Sequence, residues 1–309
     1  MRIVVHGQQA FGKAVLEALL QRGETVIAAY VAPQKPGQKP DPLKEAALAA
    51  SLPVHEPASY KTPQVHEAFR ALKPDLQVMA FVTLFVPETF LTIPRFGSIQ
   101  YHPSLLPKFR GASAINWPII LGETQTGLSI FWPDNGLDTG DILLQKTTAI
   151  GPDDTLGSVY FDRLFPMGVE AMLEAVDLVK AGTAPRHRQD ASQATYEGRC
   201  TAESARIDWA KPWQQIYNLI RGCNPAPGAW TTHAGATLQI FDAKPLPAID
   251  PKGIGGKSGE IVAIDHEGFT VACANGRIRV LRVRPADGAN KMPAGEFATA
   301  QWQVGTRLA

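Results

Sequence analysis

The sequence predicts an α/β fold in which a parallel sheet covered by helices is followed by a small β-barrel. Short apolar runs alternate with helical patterns up to about residue 180, which is typical of strands joined by crossover helices. A polar stretch without a clear period follows at 183–205, as expected of a linker between domains. From Gly228 onward, short strand patterns are separated by Gly, Pro, Asp and Asn, which favours a small barrel.

The elements of the first half follow from apolar runs and from residues that begin helices. The run at 76–81 is almost uniformly apolar, which indicates a strand buried on both faces. Asp41 precedes Pro42 at the start of one helix, and Asp153 or Asp154 is expected near the cap of another. The predicted strands are 2–6, 24–31, 76–81, 97–101 and 128–132, and the predicted helices are 10–21, 40–50, 65–72, 113–121 and 154–180.

The second half predicts one helix at 213–221 and four short strands. These strands are 238–241, 259–265, 268–272 and 278–283. We therefore expect a first domain at 1–182, a linker at 183–205 and a β-barrel domain at 206–309.

Composition and charge exclude several classes of protein. The 309 residues are 45% hydrophobic and 19% charged, and the formal net charge of +1 gives no strong field for a polyanion. Cys200, Cys223 and Cys273 are far apart without metal-binding spacing, so we expect three reduced thiols and no metal site. The lack of a leader and of an apolar run of ~20 residues predicts a soluble, cytoplasmic protein with no membrane partner. Several histidines have no partner at ligand spacing and are expected to be solvated: His55, His66, His187, His233 and His266.

One glycine-containing segment is close to a phosphate-binding loop but lacks a required part. Gly7 to Lys13 follows the first strand in a GxxxxGK pattern, yet Ala14 stands where the Mg²⁺-binding hydroxyl belongs. Because Gln9 replaces the second glycine of GxGxxG, a nicotinamide-dependent oxidoreductase is also disfavoured. We expect a tight strand-to-helix turn in which Gly12 permits close packing.

Two segments, 97–117 and 134–141, carry residues suited to proton transfer at a carbonyl centre. His102 follows a predicted buried strand, and ligands of open α/β sheets bind at this carboxyl edge. Gly136 and Gly140 bracket Asp138, which allows the loop to approach a flat ligand and to direct one carboxylate inward. A histidine and a carboxylate are the usual pair for such chemistry. Taken alone, each residue favours a structural role, as a core histidine or as an aspartate in a turn or cap, and only their combination with the surrounding residues favours catalysis.

These segments resemble the folate-dependent formyltransferase family, above all its dehydrogenase-type hydrolase modules and also its tRNA-formylating members. The resemblance covers nearly the whole chain and includes 102–107, 110–117, 134–141, 194–196 and 221–230. It implies a Rossmann-like formyltransferase catalytic domain at 1–182 and an OB-like β-barrel domain at 206–309. It also implies 10-formyltetrahydrofolate as formyl donor and co-substrate, with no metal and no NADP, since the chain lacks a downstream aldehyde dehydrogenase module.

The resemblance assigns roles to individual residues. His102 corresponds to the family histidine and Asp138 to the family aspartate, whereas Gln100 stands where the family has an asparagine. His102 would stabilise an oxyanion and Asp138 would act as acid and base. Lys108 and Arg110 are candidates for the folate's glutamate tail. The implied folate-binding residues are Phe81, Phe85, Pro87, Ser104, Leu105, Arg110, Gly111, Asp134, Gly136, Leu137, Thr139 and Gly140.

The formyl acceptor is expected to be water or a small amine. The 33–42 loop is short, and it offers only Lys35 and Lys39, partly offset by Asp41, for phosphate contacts. Transfer RNA is therefore disfavoured as a partner. Two alternatives remain open: a methionyl-tRNA formyltransferase, and a non-catalytic folate-binding protein, which the departure at Gln100 permits.

Overall fold

The computed structural model describes residues 1–34, 37–247 and 255–309, and the chain forms two compact units. Unit 1 consists of Met1–Gly111, Gly127–Thr148 and Phe161–Glu197, and unit 2 consists of Ala112–Thr126, Ala149–Tyr160 and Gly198–Ala309. The predicted α/β class is confirmed. The units alternate along the sequence, so the contiguous domain boundaries at 182 and 205 stay a prediction.

The helices and strands are numbered in chain order. The strands are β1 (Arg2–Gly7), β2 (Thr25–Tyr30), β3 (Val54–His55), β4 (Leu76–Ala80), β5 (Ser98–His102), β6 (Gln125–Phe131), β7 (Ile142–Ala149), β8 (Ala229–His233), β9 (Ala236–Pro247), β10 (Ile261–Ile264), β11 (Phe269–Cys273), β12 (Gly276–Pro285) and β13 (Met292–Pro293). The helices are α1 (Gln9–Gln21), α2 (Pro42–Ala49), α3 (Pro63–Ala71), α4 (Glu88–Leu91), α5 (Asn116–Ile120), α6 (Leu156–Val159), α7 (Phe165–Ala181), α8 (Trp213–Gly222) and α9 (Ala294–Gln301).

Unit 1 is built on a seven-stranded sheet with the order β3-β2-β1-β4-β5-β6-β7. Strands β1 to β5 pair in parallel, as predicted. Strand β6 departs from the prediction, because it pairs with β5 in the antiparallel sense, with His102 opposite Ser129. An antiparallel strand toward the edge of a mostly parallel sheet is common in α/β folds.

Both faces of the unit 1 sheet are covered by apolar side chains. Phe11 and Val15 of α1 belong to the larger cluster on one face, whereas Tyr30, Phe69 and Phe90 belong to a second cluster. Every residue of β4 is buried, which confirms the expectation from its apolar run. Burial on both faces is what the crossover helices of a parallel sheet provide.

The turn between β1 and α1 is tight and internally satisfied. A Cβ on Gly7 would lie 1.9 Å from the carbonyl oxygen of Ala80, so only glycine fits there. The Asp41 carboxylate accepts hydrogen bonds from the backbone N–H groups of Gln9 (2.9 Å) and Leu43 (2.9 Å). A protein carboxylate thus occupies the start of α1, where a phosphate-binding loop would present free N–H groups.

A buried polar chain crosses three strands of the same sheet. Gln77 Nε2 donates to His6 Nδ1 (2.6 Å), and the Ser98 hydroxyl donates to Gln77 Oε1 (2.9 Å). Because His6 is 2% exposed, burial lowers the pKa of its imidazole to about 3. A hydrogen bond from a neutral amide therefore satisfies Nδ1 of a histidine that stays uncharged.

Unit 2 contains an antiparallel sheet with the order β10-β11-β12-β9-β8, and β13 pairs with β12. Its core includes Ile216 and Ile220 of α8 together with Phe269 and Val280 of the sheet. The predicted strands are confirmed, whereas β8 and α9 were not expected. The closed, OB-like barrel stays a prediction.

The three cysteines are free thiols, as predicted, although two of them are neighbours in space. The Sγ atoms of Cys200 and Cys223 lie 3.8 Å apart. A hydrogen bond from the Cys223 thiol lowers the pKa of Cys200 to about 7.

The predicted helix 154–180 is confirmed, although it contains a π-helical turn. Helix α6 begins at Leu156, the π-helical turn occupies Tyr160–Leu164, and α7 continues from Phe165 to Ala181. The N-cap is Thr155, whose side chain accepts from the Ser158 N–H. Asp154 lies next to this cap, as predicted, and accepts a 2.8 Å hydrogen bond from the Ser158 hydroxyl.

Three of the five histidines expected in solvent are partly buried instead: His55, His66 and His233. The His55 ring stacks on Tyr30 with centroids 4.6 Å apart, and burial lowers its pKa. His66 Nε2 lies 2.7 Å from the carbonyl oxygen of Tyr60. The expectation was wrong for these three because each ring packs against an aromatic side chain.

Candidate active site

Strand β5 carries two of the predicted catalytic residues, Gln100 and His102. They are two positions apart, so their side chains project from the same face of the sheet. His102 is 5% exposed, and Gln100 is half-buried. Within the part of the chain that the structure describes, the Gln100 amide has no hydrogen-bond partner.

The His102 ring is oriented by the loop that follows it. Nε2 lies 2.8 Å from the carbonyl oxygen of Phe109. Because a carbonyl oxygen can only accept, Nε2 carries the hydrogen of this bond. Phe109 has a left-handed backbone (φ 57°), and its own N–H donates to the Thr195 hydroxyl (2.9 Å). The remaining ring nitrogen, Nδ1, faces the Asp138 loop.

The Asp138 carboxylate lies beside this nitrogen. Its Oδ2 is 3.4 Å from His102 Nδ1 and accepts a 2.8 Å hydrogen bond from the Gly111 N–H. Asp138 is 8% exposed and has a left-handed backbone with φ 55°, which aspartate tolerates better than most residues. A histidine and a carboxylate placed in this way are the usual pair for general acid–base chemistry.

Hydrogen bonds within the 134–141 loop fix its path. Asp134 Oδ1 accepts from the Gly136 N–H (3.0 Å) and from the Thr139 hydroxyl (2.6 Å). A Cβ on Gly140 would lie 1.7 Å from the carbonyl oxygen of Trp132, so this backbone approach requires glycine. Asp134, Gly136, Thr139 and Gly140 thus shape the loop that presents Asp138.

Buried hydroxyl groups donate hydrogen bonds that stabilise the loop after His102. Ser104, which is fully buried, donates to the carbonyl oxygen of Lys108 (2.7 Å). The Ser129 hydroxyl of β6 donates to the Ser104 carbonyl oxygen (2.7 Å), and Gln145 of β7 donates to Ser129 (2.8 Å). Ser104 therefore stabilises the loop after His102, and its folate-binding role stays a prediction.

Three predicted folate-binding side chains form an exposed apolar surface. Phe81 is 48%, Phe85 57% and Leu137 56% exposed, while Pro87 is half-buried. Large apolar side chains exposed on loops beside buried polar groups are typical of ligand-binding sites.

The loops that carry these apolar residues are joined by one asparagine. Asn135 Oδ1 accepts from the Glu88 N–H (3.1 Å), and Asn135 Nδ2 donates to Glu88 Oε2 (2.7 Å). The segment around 81–88 and the 134–141 loop are therefore held together within unit 1.

The remaining predicted residues are Gly111, Leu105 and Arg110. Gly111 contacts Asp138 through its N–H, and Leu105 is half-buried. Arg110 is half-buried, and its Nη2 donates to Gln189 Oε1 at 2.8 Å. Part of its hydrogen-bonding capacity is therefore used within the protein, and the predicted contact with a folate tail stays a prediction.

Sequence reasoning missed two residues of the polar 183–205 segment. Gln189 is 8% exposed and donates to the carbonyl oxygens of Asp138 (2.9 Å) and Gly140 (2.7 Å). Tyr196 is 63% exposed, and its ring packs so closely on Gly111 that an added Cβ would lie 2.4 Å from Cε2. The segment has no hydrophobic period, so only the resemblance at 194–196 marked it in advance.

The described residues also bear on the expectations about metal ions, membrane helices and the lysines of the 33–42 loop. Among residues 1–34, 37–247 and 255–309 no group of three or more His, Cys, Asp or Glu side chains is arranged to hold a metal ion. The same ranges contain no helix with the length and apolar character needed to cross a membrane. In the 33–42 loop, Lys39 is exposed, whereas Lys35 lies outside the described residues.

Two family models match this chain. Residues 1–176 match the Formyl transferase model, and residues 199–301 match the Formyl transferase, C-terminal domain model.

Curated relatives of two kinds are similar along almost the whole chain. The cytosolic 10-formyltetrahydrofolate dehydrogenase of Mus musculus is 41% identical over 96% of this chain, which spans only 34% of that relative. The methionyl-tRNA formyltransferase of Geotalea uraniireducens (strain Rf4) is 39% identical over 96% of this chain and 94% of the relative. The chain thus spans about a third of the first kind of relative and nearly all of the second.

Solved structures share the fold at low sequence identity. HypX from Aquifex aeolicus, in complex with tetrahydrofolic acid, has a TM-score of 0.68 at 19% identity, covering 96% of this chain and 47% of that one. An N-formyltransferase from Helicobacter canadensis, in complex with folinic acid and dTDP-3-aminofucose, has a TM-score of 0.68 at 18% identity, covering 90% and 98%.

Proposed function

Because the chain belongs to the formyl transferase family, we propose that it takes the formyl group of 10-formyltetrahydrofolate and passes it to water or a small amine. The observation that carries this proposal is the contact between His102 Nδ1 and Asp138 Oδ2, 3.4 Å apart, beside the unpartnered Gln100 amide. A proton-sharing pair next to a hydrogen-bond donor is what acyl transfer requires.

The proposed folate site is the exposed apolar surface beside the pair. Phe81, Phe85 and Leu137 offer apolar contacts for the pterin, and the Tyr196 ring offers an aromatic face. The tetrahydrofolic acid and folinic acid bound by the two structural neighbours support a folate ligand for this fold.

In the proposed reaction the acceptor's lone pair attacks the formyl carbon on N10, and the carbonyl oxygen becomes an oxyanion. Asp138 accepts the proton that the nucleophile loses. Collapse of the intermediate restores the carbonyl and breaks the bond between carbon and N10, while the His102–Asp138 pair returns one proton to N10. Water as acceptor gives formate and tetrahydrofolate, and an amine gives a formamide and tetrahydrofolate.

The two nitrogens of His102 are not equally available to the oxyanion. Nε2 is engaged by the Phe109 carbonyl at 2.8 Å, whereas Nδ1 has only the longer 3.4 Å contact to Asp138. We assign the oxyanion to the Nδ1 side of the ring, where Nδ1 donates once it has taken up a proton, with the Gln100 amide as second donor from the same sheet face. A residue that donates to an oxyanion contributes ~10²–10³-fold to the rate.

Electrostatics support a small acceptor. Each phosphate contact to a tRNA needs a placed lysine or arginine. The formal net charge is +1, and the described part of the 33–42 loop contributes only Lys39.

Methionyl-tRNA is the second candidate acceptor. It is favoured by one observation, the 39% identity to a methionyl-tRNA formyltransferase along 94% of that relative.

The experiment that separates the candidates is an initial-rate comparison of tetrahydrofolate formation. It is run with 10-formyltetrahydrofolate alone, with small primary amines, and with initiator methionyl-tRNA at low salt, using His102→Ala as the inactive control. We expect turnover without tRNA. Turnover that appears only with methionyl-tRNA and falls steeply as salt rises would establish the second candidate. No turnover under any condition, from folded protein, would contradict both and leave a non-catalytic folate-binding protein.

A further inference from the structure

The side-chain amide of Gln189 uses its entire hydrogen-bonding capacity on two loops of the candidate site. A primary amide has two N–H donors and an oxygen with two lone pairs. Nε2 donates to the carbonyl oxygens of Asp138 (2.9 Å) and Gly140 (2.7 Å). Oε1 accepts from Arg110 through Nη2 (2.8 Å) and Nε (3.2 Å). Because Gln189 is only 8% exposed, little water reaches this amide, and each of its hydrogen bonds is stronger at the low local dielectric than it would be in water.

Asp138 accepts hydrogen bonds through both its carboxylate and its backbone carbonyl. Its carboxylate accepts from the Gly111 N–H, and its backbone carbonyl accepts from Gln189. Gln189 also binds Arg110, the residue that precedes Gly111, so one side chain sets the spacing of the two loops that meet at Asp138. The left-handed backbone of Asp138 (φ 55°) is thus fixed by hydrogen bonds to its side chain and to its carbonyl group.

Gln189 is itself anchored by its own strand-like segment. The backbones of Ile142 and His187 exchange two hydrogen bonds, of 2.8 and 2.9 Å. The Trp132 indole N–H donates to the carbonyl oxygen of Pro185 (2.9 Å). The segment is therefore attached to the residues that flank the Asp138 loop on each side, which fixes where the amide can reach.

We propose that Gln189 is a positioning residue that sets the orientation of Asp138 toward His102. The proposal rests on the proposed function of the site, since its consequence is catalytic. Gln189 acts through Asp138 and needs no contact with the substrate. Its loss lowers kcat by up to about 10²-fold, the range expected when a catalytic group is displaced by ~1 Å, while KM for the folate changes little.

Two substitutions distinguish hydrogen bonding from packing. Gln189→Glu keeps the shape and the acceptor facing Arg110 but places an oxygen against two carbonyl oxygens, so both donated bonds are lost. Gln189→Met keeps the length and removes all the bonds. The matched control is Gln193→Glu, the same change at an exposed glutamine four residues further along the segment.

The experiment measures kcat, KM and melting temperature for the full chain and these variants. We expect kcat to fall in both Gln189 variants and to stay unchanged in Gln193→Glu. We also expect Gln189→Met to have no further effect on kcat/KM in an Asp138→Asn background, because groups that act as a unit are non-additive. Wild-type kcat in Gln189→Glu and Gln189→Met, or a loss that multiplies with that of Asp138→Asn, would overturn the proposal.

A second readout does not depend on turnover. The imidazole chemical shifts of His102, recorded by NMR at one fixed pH, report on the position of the Asp138 carboxylate beside Nδ1. We expect these chemical shifts to change in Gln189→Met and not in Gln193→Glu. Unchanged chemical shifts in Gln189→Met refute positioning by Gln189. Changed chemical shifts in Gln189→Met, together with a wild-type protein that shows no turnover, refute the proposed reaction alone.

Discussion

Replacing Gly140 by alanine tests whether the shape of the Asp138 loop controls the chemistry. The added Cβ would lie 1.7 Å from the carbonyl oxygen of Trp132, whereas real Cβ atoms essentially never approach closer than 3.0 Å. The backbone at Gly140 or Trp132 must therefore move by about 1.3 Å, the difference between these two distances. This shift arises two residues from Asp138. A displacement of ~1 Å at a catalytic group costs about 10²-fold in rate, or ~2.7 kcal/mol of transition-state stabilisation.

The assay is kcat/KM for 10-formyltetrahydrofolate, measured together with the melting temperature. Gly136→Ala is the graded comparison, because its Cβ would meet the Thr139 hydroxyl at 1.9 Å, and a side chain can rotate away. That rotation sacrifices the hydrogen bond from Thr139 to Asp134, so we expect a smaller loss in Gly136→Ala than in Gly140→Ala. A Gly140→Ala protein within threefold of wild-type kcat/KM would refute the link between loop shape and catalysis.

Three further predictions concern the catalytic pair, the ligand and pH. His102→Ala and Asp138→Asn should each abolish most turnover in a folded protein. In steady-state kinetics the double variant should lose far less activity than the product of the two single losses, because groups that act as a unit are non-additive. Near wild-type activity in Asp138→Asn contradicts the assignment. A non-reactive folate analogue should raise the melting temperature of His102→Ala as well as of wild type, since the apolar surface remains; no shift in either protein well above micromolar analogue counts against folate binding. The His6 pKa of about 3 lies below its unfolded value of 6.5, so the unfolded chain binds the proton first. Stability from this group is therefore complete above pH 6.5 and falls by up to about 1.4 kcal/mol per pH unit toward pH 3; urea unfolding of wild type and His6→Gln should show this slope only in wild type.

Sequence patterns correctly predicted those elements whose structure depends on a single local rule. The apolar run of β4 is buried at every residue, and His102 lies at the carboxyl end of β5, as the predicted strand 97–101 implied. Asp41 caps α2 as its position before Pro42 predicted.

Other elements were missed although the sequence contained a signal. Strand β7 alternates buried and exposed positions, and its polar residues from Gln145 to Thr148 conceal the period of two. The π-helical turn at Tyr160–Leu164 inside the predicted helix 154–180 was also not expected, although Pro166 follows it closely and proline often marks an irregularity in a helix.

The contact between His102 and Asp138 is not implied by local patterns. Since β6 is antiparallel to β5, the chain leaves Phe131 opposite Gln100 and heads away from His102. The 134–141 loop must then double back to bring Asp138 within 3.4 Å of the ring. Only the resemblance to a family paired these residues in advance, and nothing local identified Gln189, whose role depends on contacts 49 to 79 positions apart in the chain.

The left-handed backbone of Asp138 has a consequence for the substitutions that this position tolerates. Asparagine and glycine accept φ 55° readily, whereas β-branched and bulky residues do not. In a library of all replacements sorted for protein abundance, Asn and Gly should survive at position 138 while Val and Ile are depleted. When the same library is sorted for formyl release, Asp alone should persist. The residues that survive the selection for abundance but not the selection for activity show which requirement at position 138 is conformational and which is chemical.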